Sequence, residues 1–207
     1  MEPLRIDDVI GRDRYAAQRD AIRRRLVEHK RARRVGVGPH LTFVFEDRAT
    51  VWFQTQEMLW VEHVTDLDAI REELAVYNQM LPAAAELSAT LLVEVEDQRA
   101  IVETLNRLVG IDEHVYLEIG ETRRIRATFE PDRQTAEKIA AVQYVRFPLD
   151  AAACAALRAG APLALAVDHP HYVARAVLPP AVRDSVAADV LDATAADRAL
   201  RRVRDGD

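Results

Sequence analysis

The sequence predicts an α+β protein: a largely antiparallel β-sheet with helices packed on it, and a helix near each end of the chain. Apolar residues recur at helical spacing near the N-terminus, at Tyr15, Ile22 and Leu26. Short runs rich in β-branched and aromatic residues fall in pairs around polar or glycine-containing turns, as hairpins do. Helical stretches interrupt these strand pairs, which favours helices packed on an antiparallel sheet.

Taken in order, Arg14 to Arg34 is predicted helical, with Asp13 as its cap and Gly36, Gly38 and Pro39 ending it. His29 lies three residues after Leu26 and so continues the apolar stripe. His40 to Asp47 (HLTFVFED) and Thr50 to Phe53 (TVWF) read as a hairpin about Glu46-Asp47-Arg48, after which Gln54 to His63 turns helical. Asp66 caps a helix over Leu67 to Met80, closed by Pro82. Ser88 to Val95 is a strand and Asp97 to Val109 a helix ended by Gly110. Val115 to Ile119 and Arg123 to Phe129 form a second hairpin about Gly120. Ile139 to Phe147 and Leu163 to Val167 are further strands, with a short helix from Asp150 to Arg158 between them. Tyr172 to Val177 pairs with its predecessor across His169-Pro170, and Pro179-Pro180 opens a final helix to about Arg202. The length of 207 residues fits a single α+β domain, 1–207, with a basic helix at 14–34 and a C-terminal helix at 180–202.

Composition narrows the function. Lys+Arg 28 against Asp+Glu 34 gives a net charge of -6, which argues against a generic nucleic-acid or anionic-membrane binder. The single cysteine, Cys154, allows no disulfide framework and no cysteine-based zinc or iron–sulfur site, and its Ala-rich surroundings fit a small buried side chain. The polar, acidic start is unlike a signal peptide, and no apolar run approaches the ~20 residues of a membrane span, so a cytoplasmic location is expected. The glycine-rich nucleotide loops, the GxSxG nucleophile elbow, HExxH and the EF-hand loop are all absent from the sequence.

What remains is a dense polar segment from His29 to His63. Arg23, Arg24, Arg25, Lys30, Arg31, Arg33 and Arg34 cluster toward the end of the first helix. They serve either as a solvated face that relieves the helix C-terminus or, through Arg31, Arg33 and Arg34, as a site for an anion or an acidic partner. In QTQEMLWVEH, Glu57 and Glu62 fall beside Met58 and Trp60, where an unpaired charge is costly. Each glutamate pairs with an arginine of the first helix or has a functional use, and Glu57 is the candidate general base. Of six histidines, His29 and His169 stand out, the first on a core stripe and the second in an Asp168-His169-Pro170 turn.

The chain also resembles a known family. HKRARRVGVGPHLTFVFED (His29 to Asp47), QTQEM (Gln54 to Met58) with Glu62, ELAVYNQMLP (Glu73 to Pro82), LSATLLVEV (Leu87 to Val95), RLVGI (Arg107 to Ile111), VRF (Val145 to Phe147) and VDHPHY (Val167 to Tyr172) resemble the bacterial family called domain of unknown function 3501. His29, Arg33, Arg34, Glu46, Gln54, Gln56, Glu57, Glu62, His169 and Tyr172 match its pattern, whereas Trp60 replaces a basic residue and Gln143 a histidine. The resemblance implies a place in redox or peroxide metabolism, beside an iron–sulfur oxidoreductase or a rubrerythrin-like protein. One expectation is then a metal-binding protein in which His29, Glu57, Glu62 and His169 hold iron, manganese or zinc. Its rival is a non-catalytic interaction module that docks an oxidoreductase through the basic helix face. A third is an enzyme for a small anionic metabolite, with Arg33 and Arg34 as clamps and Glu57 as base.

Overall fold

A computed structural model describes residues 1–95, 97–131, 134–135 and 138–206. Helix α1 (Arg12–Arg31) leads into strands β1 (Arg34–Val37) and β2 (Leu41–Phe45), followed by helices α2 (Arg48–Val61) and α3 (Leu67–Asn78). Next come β3 (Glu86–Val93), α4 (Ile101–Arg107), β4 (Val115–Ile119), β5 (Arg123–Arg126) and the two-residue strands β6 (Thr128–Phe129), β7 (Gln134–Thr135) and β8 (Lys138–Ile139). The chain continues through β9 (Val142–Pro148), α5 (Ala151–Arg158), β10 (Leu163–His169), β11 (Tyr172–Val177), α6 (Pro180–Leu191) and α7 (Ala195–Arg204). Two antiparallel sheets result, in the orders β1-β2-β3-β9-β6 and β11-β10-β4-β5, with β7 and β8 pairing separately. Helices at both ends of the chain flank them, so the mixed α+β fold is as the sequence predicts.

The apolar faces of the two sheets share one core, in which Phe43, Phe45, Leu91 and Phe147 of the first meet Leu117 and Leu165 of the second. A second core joins α1, α2, α3 and α7 through Tyr15, Ile22, Leu26, Trp52, Leu74 and Leu200. All five residues of β2 are buried, because the strand is covered on both faces. Among the described residues, no helix is long and apolar enough to cross a membrane.

Four expectations are corrected. Gly11, not Asp13, occupies the N-cap of α1, and the helix stops at Arg31, before the predicted glycines. Those glycines instead serve a hairpin: β1 pairs with β2 in the register Val37↔Leu41 around Gly38, Pro39 and His40. Gly38 has φ +69, and a Cβ there would lie 2.5 Å from the Tyr172 hydroxyl. That hydroxyl donates to the Val37 carbonyl at 2.6 Å and accepts from the His40 amide at 3.0 Å. Glycine is required both by the backbone and by the close approach of the ring.

The predicted hairpin of His40–Asp47 with Thr50–Phe53 does not form, because Thr50 to Phe53 belong to α2. Asp47 caps the helix by accepting from the Thr50 amide, and the Thr50 hydroxyl accepts from the Asp47 amide in return. Residues Arg48 to Trp52 are all buried, and packing on every side overrides their β-propensity. The predicted strand Arg123–Phe129 is divided: β5 pairs with β4 in one sheet, whereas β6 crosses to β9 in the other. Finally, the C-terminal helix breaks between Leu191 and Ala195. Here the Asp192 carboxylate accepts from the Thr194 amide at 2.9 Å and from its hydroxyl at 2.8 Å, a local turn that competes with helix.

Candidate functional site: two carboxylates at a strand–helix junction

Between the end of β2 and the start of α2 stand two consecutive acids, Glu46 and Asp47, both buried. Their side chains serve different surroundings. Asp47 Oδ2 meets His29 Nε2 at 2.7 Å and Arg33 Nη1 at 3.4 Å. Arg33, only 1% exposed, donates from Nε to the Phe45 carbonyl at 2.8 Å and from Nη2 to the Glu46 carbonyl at 3.1 Å. It also pairs with Asp189 of α6 and reaches the Ser185 hydroxyl at 3.3 Å. One guanidinium therefore ties together the end of α1, the strand–helix junction and α6.

The electrostatics follow from this arrangement. Burial works against the Asp47 anion, but Arg33 and the hydrogen bond from His29 outweigh it and hold the carboxyl well below the ordinary range. Asp189 is pushed up to about 6 by burial, with the Asp47 charge adding to the rise and Arg33 opposing it. For Arg33, burial opposes its charge, but Asp189 and Asp47 more than compensate and raise its pKa.

A depressed carboxylate contributes stability that is present above its unfolded pKa and lost as pH falls through the folded one. Comparison with Asp47→Asn, which keeps a capping oxygen, should isolate that charge. The Tm advantage of the wild type should hold from neutral pH down to the ordinary value of 3.8 and shrink below it. Asp189 has the opposite sign: it favours folding most below 3.8 and less as pH rises to about 6. A Tm difference that grows on acidification would contradict the assignment at Asp47.

Glu46 points away from this network. It is 3% exposed, and its Oε1 accepts from Thr90 Oγ1 at 2.6 Å while Oε2 accepts from Gln54 Nε2 at 3.2 Å and from the Thr50 hydroxyl. All three donors are neutral, and among the described residues Glu46 makes no ion pair. The carboxylate borders a cavity of about 780 Å³ walled by Met58, Tyr77, Met80, Phe129 and Tyr144, with Arg146 at its edge. Arg146 is paired with Glu86 and donates to the backbone carbonyls of Leu81 and Gln79.

The residues singled out from sequence are spread over several places. His29 and Arg33 do come together, at Asp47. Arg33 is enclosed and not available to a partner, while Arg31 pairs with Glu28 and Arg34 with Glu94 on the surface. Glu57 accepts from Arg19 Nε and Nη2, both at 2.7 Å, and from the Tyr15 hydroxyl at 2.5 Å. Burial works against its charge, and the bonds from Arg19 and Tyr15 prevail and lower its pKa. The Arg19 guanidinium also lies 4.2 Å from the centroid of the Trp60 ring, so Trp60 holds the cation that pairs with Glu57. Glu62 is exposed at the C-cap of α2. His169 Nε2 faces the Val109 carbonyl at 3.0 Å, and Nδ1 accepts from the His171 amide at 3.2 Å. Thus His29, Glu57, Glu62 and His169 do not gather, and no group of three or more His, Cys, Asp or Glu among the described residues could hold a metal ion.

Fold and site together define a two-sheet α+β protein with a cavity floored by a buried, neutral-bonded carboxylate. Residues 3–190 match the family model described as "Protein of unknown function (DUF3501)", and the chain belongs to that family. It is also similar to the crystal structure of a novel protein of unknown function from Burkholderia pseudomallei K96243. The two are 38% identical with a TM-score of 0.86, over 91% of this chain and 100% of that one. No curated protein matches.

The sequence segments that carry the family likeness meet at the Glu46 cavity. Met58 comes from QTQEM, Tyr77 and Met80 from ELAVYNQMLP, Ser88 from LSATLLVEV and Arg146 from VRF. Sequence reasoning took Glu46 for a turn residue. The signal that would have found it is Asp47 three residues before Thr50, a helix-capping pattern that places the preceding acid at the end of a strand.

Proposed function

We propose that this protein binds a small organic amine, as its ammonium, in the cavity floored by Glu46, with the Glu46 carboxylate as anchor and hydrogen-bond acceptor. The observation that carries the reading is a buried carboxylate, held only by neutral donors, at the floor of a cavity of about 780 Å³. An ionised carboxylate offers about four acceptor sites. Thr90, Thr50 and Gln54 fill three of them, which leaves Oε1 able to accept one more hydrogen bond. Arg33 acts on Glu46 only through space, and a buried carboxylate with no direct ion pair carries a cost typical of sites that use the charge. The walls fit the ligand class. Glu73 adds a carboxylate, the cavity's guanidinium is paired with Glu86, and Tyr77 and Phe129 put aromatic rings in the lining.

A metal ion at Glu57 would have to displace Arg19 and Tyr15, and one at His169 the Val109 carbonyl or the His171 amide. The Glu46 cavity asks for no such displacement. Titration calorimetry with phenethylamine, isoamylamine and agmatine, on wild type and on Glu46→Gln of verified fold, tests the reading. At least one amine should bind saturably, and Glu46→Gln should weaken it about 10- to 100-fold, the worth of one charge-assisted hydrogen bond. Absence of saturable binding by all three, or equal affinity in the variant, would overturn it.

A further inference from the structure

A second cavity, of about 500 Å³, opens on the other side of the junction between α1, α6 and α7. Its lining includes the small side chains of Ala32, just past α1, of Ala188 in α6, and of Ala195 and Ala199 in α7. Its floor is the network of Asp47, Arg33 and Asp189. Two polar groups in it have unused capacity. His29 is held at Nε2 by Asp47, and its Nδ1 takes no hydrogen bond among the described residues. The Ser185 oxygen accepts from Arg33 Nη1 at 3.3 Å, so its own proton is available to another acceptor. At the mouth stand the exposed Arg198 and Arg202.

We propose that this cleft is a binding site for a small oxyanion of the phosphate type, received by the His29 ring and the Ser185 hydroxyl and covered by Arg202. The charged groups around it favour an anion. Arg25, Arg33, Arg198 and Arg202 line the cleft against Glu28, Asp47 and Asp189. Of those acids, Glu28 is occupied by Arg31 and both aspartates by Arg33. Arg25 is fixed by the Val203 and Arg204 carbonyls, and Arg198 by Asp192. Arg202 makes no ion pair among the described residues and is the cation left to close over a ligand. The Ser185 hydroxyl and the Arg202 guanidinium supply donors to an oxyanion, and the His29 ring, held at Nε2 by Asp47, presents Nδ1 to a hydroxyl of the ligand. This site is separate from the Glu46 cavity and does not depend on what that cavity holds.

The test follows the His29 ring resonances by NMR during titration with inorganic phosphate and, separately, with glycerol 3-phosphate, at ionic strength matched with sodium chloride. Both the wild type and Arg202→Glu are titrated. Arg202 is exposed, so its reversal leaves the fold intact. The His29 signals should move saturably with at least one phosphate, and Arg202→Glu should raise the Kd about tenfold. Stronger binding of inorganic phosphate marks the free ion as ligand, and stronger binding of the ester marks a monoester whose body occupies the cavity; either supports the site. His29 signals that stay in place with both probes, or shifts unchanged by Arg202→Glu, overturn it.

Discussion

Replacement of Arg33 by methionine is expected to remove about 3–5 kcal/mol of stability, the cost of stranding buried charges by deleting one partner. That is a large fraction of the roughly 5–15 kcal/mol by which a domain is stable. Methionine fills much of the volume, so the loss reports charge and hydrogen bonding more than packing. Asp47 and Asp189 would lose their common cation, and the Phe45 and Glu46 carbonyls would each lose a donor. Urea denaturation measures the effect. Adding Asp189→Asn to the methionine variant should recover part of the loss, because one of the stranded carboxylates is then gone. A cost below about 1 kcal/mol, the ordinary worth of a surface pair, would show that the network is not the internal tie described above.

An effect of similar size is expected at Trp52, on the α2 face that meets α1. The ring is 1% exposed, its Nε1 donates to the Asp8 carbonyl at 2.8 Å, and it stands edge-on to Tyr15 with centroids 6.4 Å apart. Trp52→Ala should cost about 3–5 kcal/mol as a large-to-small core substitution. Trp52→Phe keeps a ring but strands the Asp8 carbonyl, and should cost about 1–3 kcal/mol. Unfolding curves for the pair separate the two contributions. Equal losses in both variants would place the whole effect in the hydrogen bond.

Much of the architecture was legible in the sequence because period and turn chemistry agree. The Asp66 cap and the pairing of Tyr172–Val177 with its predecessor appear as predicted, and the hairpin about Gly120 forms as far as Arg126. The misses share a physical cause. Thr50-Val51-Trp52-Phe53 has strand-like composition, but a capped helix buried on nearly all sides uses the same residues equally well. The strand β1 was hidden because Gly36 sits in a four-residue edge element beside a basic run. His29 follows Leu26 on the inward side of α1, half-buried against Asp47 and not in the apolar core. The pairings of the polar segment from His29 to His63 were not legible. Nothing in a run of arginines says that Arg33 is the buried one, since its partner, Asp189, stands 156 residues later. Glu57 meets an arginine of the first helix, as one reading had it, but that arginine is Arg19, outside the basic run considered.

The Tyr172 hydroxyl that closes over Gly38 has a consequence for self-association. β1 and β11 are the terminal strands of their sheets, and an unpaired strand edge is a template on which a second chain can add. Here the two edges contact each other at one corner of the molecule. Tyr172 reaches across that corner from β11 to the Val37 carbonyl and the His40 amide, satisfying backbone groups at the tip of the β1–β2 hairpin. The same side chain that fixes a turn thus occupies hydrogen-bonding groups through which the first sheet could otherwise recruit a neighbour.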